Sequence, residues 1–223
     1  MKLFFHYCLK SFANCYVLGS DFPDVDKTAS PAEDGTGTVP RDALIIDPGS
    51  MDEALLNFIE KSDYTLRGIL ITHDHRSHVQ GLRTLKRIYD VDIYAVNHII
   101  QDHRTNLVKD GDTRRIGPFT VEVISVPGHS ADSAVFKIDR LLFTGDALTA
   151  GLVGSTVNSY GTTVQMTALR SKIFSLPGDF TILPGHGPPS TLDVERRFNA
   201  GVEFYEESSR QPPQFTVHLF DQE

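Results

Sequence analysis

Thr72-His73-Asp74-His75-Arg76-Ser77-His78 brings three imidazoles into one short stretch of a 223-residue chain that holds nine histidines and no tryptophan. Neutral imidazole is the commonest protein ligand for zinc and related ions, and three or four converging donors make a competent site. At a strand end, His73 and His75 share one side of the period-two chain, and the backbone must turn to bring in His78. Three more stretches repeat the same build, an apolar run closed by glycine and a possible ligand. Pro127-Gly128-His129-Ser130 follows Val126, Phe143-Thr144-Gly145-Asp146 ends a second run, and Leu183-Pro184-Gly185-His186-Gly187 ends a third. Glycine at such ends lets backbones crowd together. Donors at four strand ends in order predict a metal centre rather than a set of turns.

The elements around these stretches alternate. Leu3, Phe5, Tyr7 and Leu9 face one way and Phe4, His6, Cys8 and Lys10 the other, which is a strand. Asn14–Gly19 and Ala43–Asp47 read as further strands. Ser50 and Glu53 form a capping box for a helix whose apolar face is Met51, Ala54, Leu55, Phe58 and Ile59. Arg67–Thr72 is a strand running into the histidines. A helix follows near Leu82, Leu85, Ile88 and Tyr89, then a strand at Val91–Val96. The second half gives strands at Phe119–Val126, Ala134–Ile138, Leu141–Thr144 and Phe180–Leu183. Helices are predicted at Val164–Leu176 and from Thr191 to about residue 208. This order fits a layered α/β fold with two packed sheets covered by helices. One domain is expected over residues 1–210, with a surface loop at 20–42 and a loosely held tail at 211–223.

Composition narrows the function. Hydrophobic content of 40% and charged content of 22% describe a globular chain with a core of its own. The net charge of −8 argues against a nucleic-acid footprint, so a small-molecule substrate is expected. No run approaches the roughly 18 apolar residues of a membrane span. The start reads as a strand rather than a leader. Two cysteines, Cys8 and Cys15, are too few for a disulfide framework, which points to the cytoplasm. The acidic loop Ser20–Asp42 joins strands whose other ends, Asn14 and Asp47, lie toward the histidines. A hairpin returns to where it began, so the loop is placed at the opposite rim and is not a substrate lid. His6 and Cys8 read as packing or surface groups. His98, His103 and His218 have no partner pattern. Oligomeric state is not readable.

From Asn14 to Phe198 the chain resembles the metallo-β-lactamase fold superfamily, and within it the glyoxalase II-like hydrolases. The resemblance implies a four-layered αβ/βα sandwich, two mixed sheets flanked by helices, with metals at one rim. Carried over by position, it makes His73, His75 and His129 the imidazoles of a first metal site and His78 and His186 ligands of a second. Asp146 becomes the carboxylate bridging both, and Asp47 the acid that orients the ligand loop from behind. Zinc is the expected ion, one tight and a second weaker, with iron or manganese as alternatives. A metal lowers the pKa of bound water toward 7 and so supplies a nucleophile for thioesters, lactones and other activated esters. Asp146 is assigned the catalytic task of orienting that nucleophile.

The chain departs from the family pattern H-x-H-x-D-H, because Ser77 stands where the aspartate would be. A serine hydroxyl is a neutral, weak ligand that does not ionise near pH 7, so unequal sites are expected, and Ser77 itself becomes a candidate site residue. Asp74 lies between two histidines and points the other way. At Gly154-Ser155-Thr156 the relatives carry an arginine, and Ser155 removes that cation. About 25 residues follow Phe198, too few for the helical domain with which full-length glyoxalase II holds its glutathione thioester. Two alternatives stand beside the hydrolase. One is a mononuclear iron dioxygenase of the persulfide dioxygenase type, using His73, His129 and Asp146. The other is a metal-binding relative without catalysis.

Overall fold

A computed structural model describes residues 1–20 and 41–202. The loop expected at 20–42 and the tail at 211–223 therefore fall almost wholly outside the described residues, as does the end of the last predicted helix. In chain order the elements are β1 (Lys2–Cys8), β2 (Ala13–Gly19), β3 (Arg41–Ile46), α1 (Glu53–Lys61), β4 (Tyr64–Leu70), α2 (Arg76–Val79) and α3 (Leu82–Ile88). Short strands β5 (Ile93–Ala95), β6 (Ile99–Ile100), β7 (His103–Arg104) and β8 (Asn106–Leu107) follow. The second half holds β9 (Thr113–Ile116), β10 (Phe119–Ser125), β11 (Ala134–Ile138), β12 (Leu141–Gly145), β13 (Leu148–Thr149), β14 (Leu152–Val153), α4 (Ser159–Ala168), β15 (Thr181–Pro184), β16 (Ser190–Thr191) and α5 (Leu192–Phe198).

Two six-stranded mixed sheets form, ordered β1-β2-β3-β4-β5-β8 and β16-β15-β12-β11-β10-β9. Alternation along each strand explains why they stack. Ala43 and Ile45 of β3 pack outward on α1 with Leu55 and Ile59. Leu44 and Ile46 point the other way, onto Phe136, Phe143 and Leu183 of the second sheet. In turn Leu142 of β12 leaves that central layer for Met166, Leu169 and Ile173. Strands buried on both faces carry no polar alternation, which is why they read as continuous apolar runs. The result is helix, sheet, sheet, helix, the αβ/βα sandwich expected.

Local starts differ from expectation in two places. The first helix is capped by Asp52, whose side chain accepts from Leu55 N–H, and not by Ser50. Ser50 is instead buried in the loop after β3. The helix predicted from Val164 begins five residues earlier, at Ser159, because Asn158 caps it by accepting from Gly161 N–H. Its first turns are polar and exposed, so apolar periodicity could not mark them. It ends in a single π turn, Leu169–Ile173, closed by Phe174 N–H on Leu169 C=O. His6 and Cys8 lie on β1, the edge strand, with His6 Nε2 2.8 Å from Asp52 Oδ2.

The loop after β3 packs backbone to backbone on α2. A Cβ at Gly49 would stand 2.1 Å from Ser77 C=O, a distance no side chain tolerates. Gly49→Ala should therefore cost about 1–3 kcal/mol, lowering the thermal unfolding midpoint by roughly 2–12 °C for a chain of this size. An unchanged midpoint in calorimetry would show that α2 is not seated on this loop.

Candidate metal centre

Every candidate side chain comes from a strand end on one rim. Asp47 follows β3, His73 and His75 follow β4, and His78 sits in the single turn of α2. His129 follows β10, Asp146 follows β12 and His186 follows β15. The histidine-rich stretch leaves β4 extended, so His73 and His75 both reach inward before α2 turns the chain to present His78.

Two donor groups result, each with all its ligand atoms within 4.8 Å of one another: His73, His75, His129 and Asp146, and then His78, Asp146 and His186. In the first, His75 Nδ1 lies 3.0 Å from both His73 Nε2 and His129 Nε2. Asp146 Oδ2 stands 3.7 Å and 3.5 Å from the same two Nε2 atoms. Tetrahedral zinc with Zn–N near 2.0–2.1 Å sets its nitrogens about 3.4 Å apart, close to this spacing. In the second group Asp146 Oδ1 is 3.3 Å from His78 Nε2, and Oδ2 is 3.5 Å from His186 Nε2.

The outer nitrogens decide the tautomers. His129 Nδ1 is 2.8 Å from Ser155 C=O and His186 Nδ1 is 2.7 Å from Phe12 C=O. A carbonyl only accepts, so each Nδ1 carries the proton and each Nε2 turns a lone pair inward. Thr72 Oγ1 donates to Asp47 Oδ2 at 2.6 Å and so accepts from His73 Nδ1 at 3.1 Å. Asp47 Oδ2 also lies 3.2 Å from His78 Nδ1, a charge contact. His78 Nε2 and Asp146 Oδ1 are buried with no hydrogen-bond partner. Buried polar atoms left so are costly unless something else engages them. Lone pairs converging on one point, next to orphaned donor atoms, fit a divalent cation.

Electrostatics separate the two groups. Burial pushes His73 down to about 3, helped by the charge of His78, and burial also lowers His75. Burial opposes the charge on His78 too, but Asp146 and Asp47 outweigh it and hold that imidazole at about 10. Burial would raise Asp146, yet His78, then His73 and His186, bring it to about 2. At neutral pH the first group is thus ready to ligate, while the second must lose the His78 proton.

Several supporting residues carried no motif. Asn14, buried, donates to Pro184 C=O at 2.9 Å and Gly187 C=O at 2.8 Å, and Tyr16 Oη donates to Pro184 C=O at 2.7 Å. These bonds bolt the His186 loop onto β2. A Cβ at Gly185 would meet Asp146 Oδ1 at 2.4 Å, so only glycine lets that loop come so close. Asp132 accepts from Asp74 N–H at 2.9 Å and Asn97 Nδ2 at 2.8 Å, tying the His75 and His129 loops together. Ser155 acts through its carbonyl, a role its side chain could not announce. Ser77 is half-buried in α2, and Asp74 is exposed, turned away from the donors. His98 and His103 join neither group, and His218 lies outside the described residues. Among the described residues no helix is long and apolar enough to cross a membrane.

Comparison with known proteins bears on the family and the fold. The profile of the Metallo-beta-lactamase superfamily matches residues 39–186. Hydroxyacylglutathione hydrolase GloC of Haemophilus influenzae is 29% identical over 185 residues, covering 71% of this chain and 86% of that protein. Hydroxyacylglutathione hydrolase of a Marinomonas species is 35% identical over 144 residues, 63% of this chain but only 54% of the relative. Among solved structures, ETHE1 from Myxococcus xanthus superposes with a TM-score of 0.74 at 22% identity, covering 96% of this chain and 93% of that one.

The His78 shift has a consequence for stability. A raised histidine pKa gives stability that is complete below the unfolded value, 6.5, and is lost as pH rises through the folded one, about 10. Chelator-treated protein should therefore lose stability steadily from pH 7 to 10, measured as the thermal midpoint. Asp146→Asn should flatten that decline, and an equally steep decline in this variant would remove the ion pair as its cause.

Proposed function

The chain belongs to the metallo-beta-lactamase superfamily, and from that premise we propose that it is a metal-dependent hydrolase of thioesters, lactones or other activated esters. The observation that carries this is the convergence of His73, His75, His129 and Asp146, with His78, Asp146 and His186 beside them. On this reading the first group holds one ion tightly and the second holds another weakly, with zinc the expected metal. A held ion supplies Lewis acidity and a water whose pKa falls toward 7.

The chain's own residues do the rest. Asp146 stays ionised, since His78 and its neighbours hold its pKa at about 2, and its carboxylate faces both donor groups. The carboxylate, with Oδ1 3.3 Å from His78 Nε2 and Oδ2 facing the first group, would accept a hydrogen bond from the attacking water and so orient it, staying ionised throughout. Asp47 and Thr72 keep the histidine tautomers set while charge changes in front of them. The similarity to hydroxyacylglutathione hydrolases favours a carbonyl carbon bearing a sulfur or oxygen leaving group.

Ser77 supports the unequal sites. It offers no carboxylate where the family pattern has one, which leaves His78, His186 and the shared Asp146 as the second set. The same feature favours a second reading, an iron oxygenase using one ion at His73, His129 and Asp146.

Elemental analysis of protein purified without added metal should find near one equivalent per chain, with a second ion taken up only in excess metal. Ser77→Asp should raise second-site affinity by at least about tenfold, and Asp146→Asn should cut thioester or lactone turnover at least about a hundredfold. Unchanged stoichiometry in Ser77→Asp would remove the unequal-site reading. Tightly held iron without ester turnover would favour the oxygenase.

A further inference from the structure

The loop that carries His129 also walls a groove. Pro127 and Ala131 on that loop face Val157, Tyr160 and Val164, at and after the start of α4, across a cavity of about 360 Å³. Ser130 and Asn158 add hydroxyl and amide groups, and among the described residues no Asp, Glu, Lys, Arg or His lines it. Val157 is 92% exposed and Tyr160 78%, the two most exposed large hydrophobic side chains among the described residues. Such side chains beside a catalytic centre gain most when a ligand covers them.

The groove adjoins the loop that carries His129, and hydrogen bonds pin both its walls. Its loop residues flank His129 on both sides, and its far wall follows Ser155, whose carbonyl holds His129 Nδ1 at 2.8 Å. Gln165 Nε2 donates to Ala147 C=O at 3.1 Å and Gly154 C=O at 2.9 Å, fixing α4 to the segment after Asp146. Thr156 and Thr162 hydroxyls meet at 2.6 Å. A second cavity, of about 320 Å³, does carry cations, Arg114 and Arg115, with Asp92 and Tyr94. Asp92 precedes β5, so that cavity opens at the strand's amino end, away from the rim that bears the histidines.

We propose that the groove beside His129 receives an uncharged, apolar acyl group, so that the substrate is a neutral aliphatic or aryl thioester or ester rather than one with an anionic acyl part. This rests on the hydrolase reading above and adds the substrate class to it. An anionic group placed here would lose its hydration with no cation to replace it. A methylene chain would cover Val157, Val164 and the Tyr160 ring and gain affinity with each carbon.

The test uses the full metal-loaded chain and thioesters of one small neutral thiol, N-acetylcysteamine, with acetyl, butyryl, hexanoyl and succinyl groups. The expected result is a rise in kcat/KM of about fourfold per methylene from acetyl to hexanoyl, with succinyl at least tenfold below butyryl. In Val157→Asp the hexanoyl-to-acetyl ratio should collapse toward one, and in Val157→Lys the succinyl-to-butyryl ratio should rise. Ratios within one variant are insensitive to partial loss of folded protein. Measurable turnover with a flat acyl series and no charge preference overturns the groove and leaves the hydrolase standing. If neither these thioesters nor the matching aryl esters and lactones are turned over, the hydrolase reading fails and the Val157 methyl resonances decide the groove. Shifts with hexanoyl but not succinyl thioester keep it, and no shift overturns it.

Discussion

One buried carboxylate holds the rim together. Asp47, 2% exposed, takes Thr72 N–H at 2.8 Å and Thr72 Oγ1–H at 2.6 Å, and its Oδ2 faces His78 Nδ1 at 3.2 Å. Its own N–H donates to Leu70 C=O, so it staples the end of β3 to the end of β4. The backbone there takes φ +50°, a left-handed turn that aspartate tolerates better than most residues. A buried charge costs several kcal/mol unless paired and hydrogen-bonded. The donors that stabilise Asp47 are the same groups that set His73 and His78. Ligand orientation and local stability are therefore one interaction.

Around that carboxylate the rim is built against its own stability. Five imidazoles and Asp146 crowd together, and burial forces His73 to stay neutral while His78 keeps its proton between two carboxylates. His78 Nε2 and Asp146 Oδ1 meet at 3.3 Å as an ion pair without hydrogen-bond geometry, so their attraction offsets only part of the cost of burying them. The two sheets supply the offset. Phe143, Phe136, Leu44 and Leu18 are fully buried between or beside them, and every candidate donor but His78, which sits in α2, follows the end of a strand of these sheets. A rigid core is what lets a frustrated rim keep its geometry.

Legibility in the sequence followed the range of each interaction. His73, His75, His78, His129, Asp146 and His186 were readable because each closes an apolar run beside glycine or within one short motif. The four layers were readable because Ala43-Leu44-Ile45-Ile46 and similar runs can only be strands buried on both faces. What stayed hidden acts through the main chain or over long separation. Phe12 and Ser155 serve by their carbonyls, which no side-chain type reveals. Asn14 reaches Pro184 and Gly187 across 170 and 173 positions. The two-residue strands β6, β7, β8, β13, β14 and β16 are too short to show a period. Ser50 satisfied the capping pattern, but Asp52 is the side chain aimed at Leu55 N–H, a choice of two positions that only the path of the chain decides.

Charge links the two proposals. Three imidazoles and a carboxylate complete the first donor group, whereas the second has two imidazoles and must share Asp146. With serine at position 77, two divalent ions would face only Asp146 directly and Asp47 from behind, an excess of positive charge that disfavours the second ion. A rim that runs with fewer ions presents a weaker positive field, and so selects less strongly for anionic substrates. Among the described residues the wall beside His129 carries no charged side chain either, and Ser155 stands where the family resemblance implies an arginine. Serine at both 77 and 155, in place of the ionised side chains that the resemblance implies, would therefore act in the same direction. Binding then rests on covering apolar surface next to the reacting carbon, with attack geometry left to Asp146 and the histidines that Asp47 holds in place.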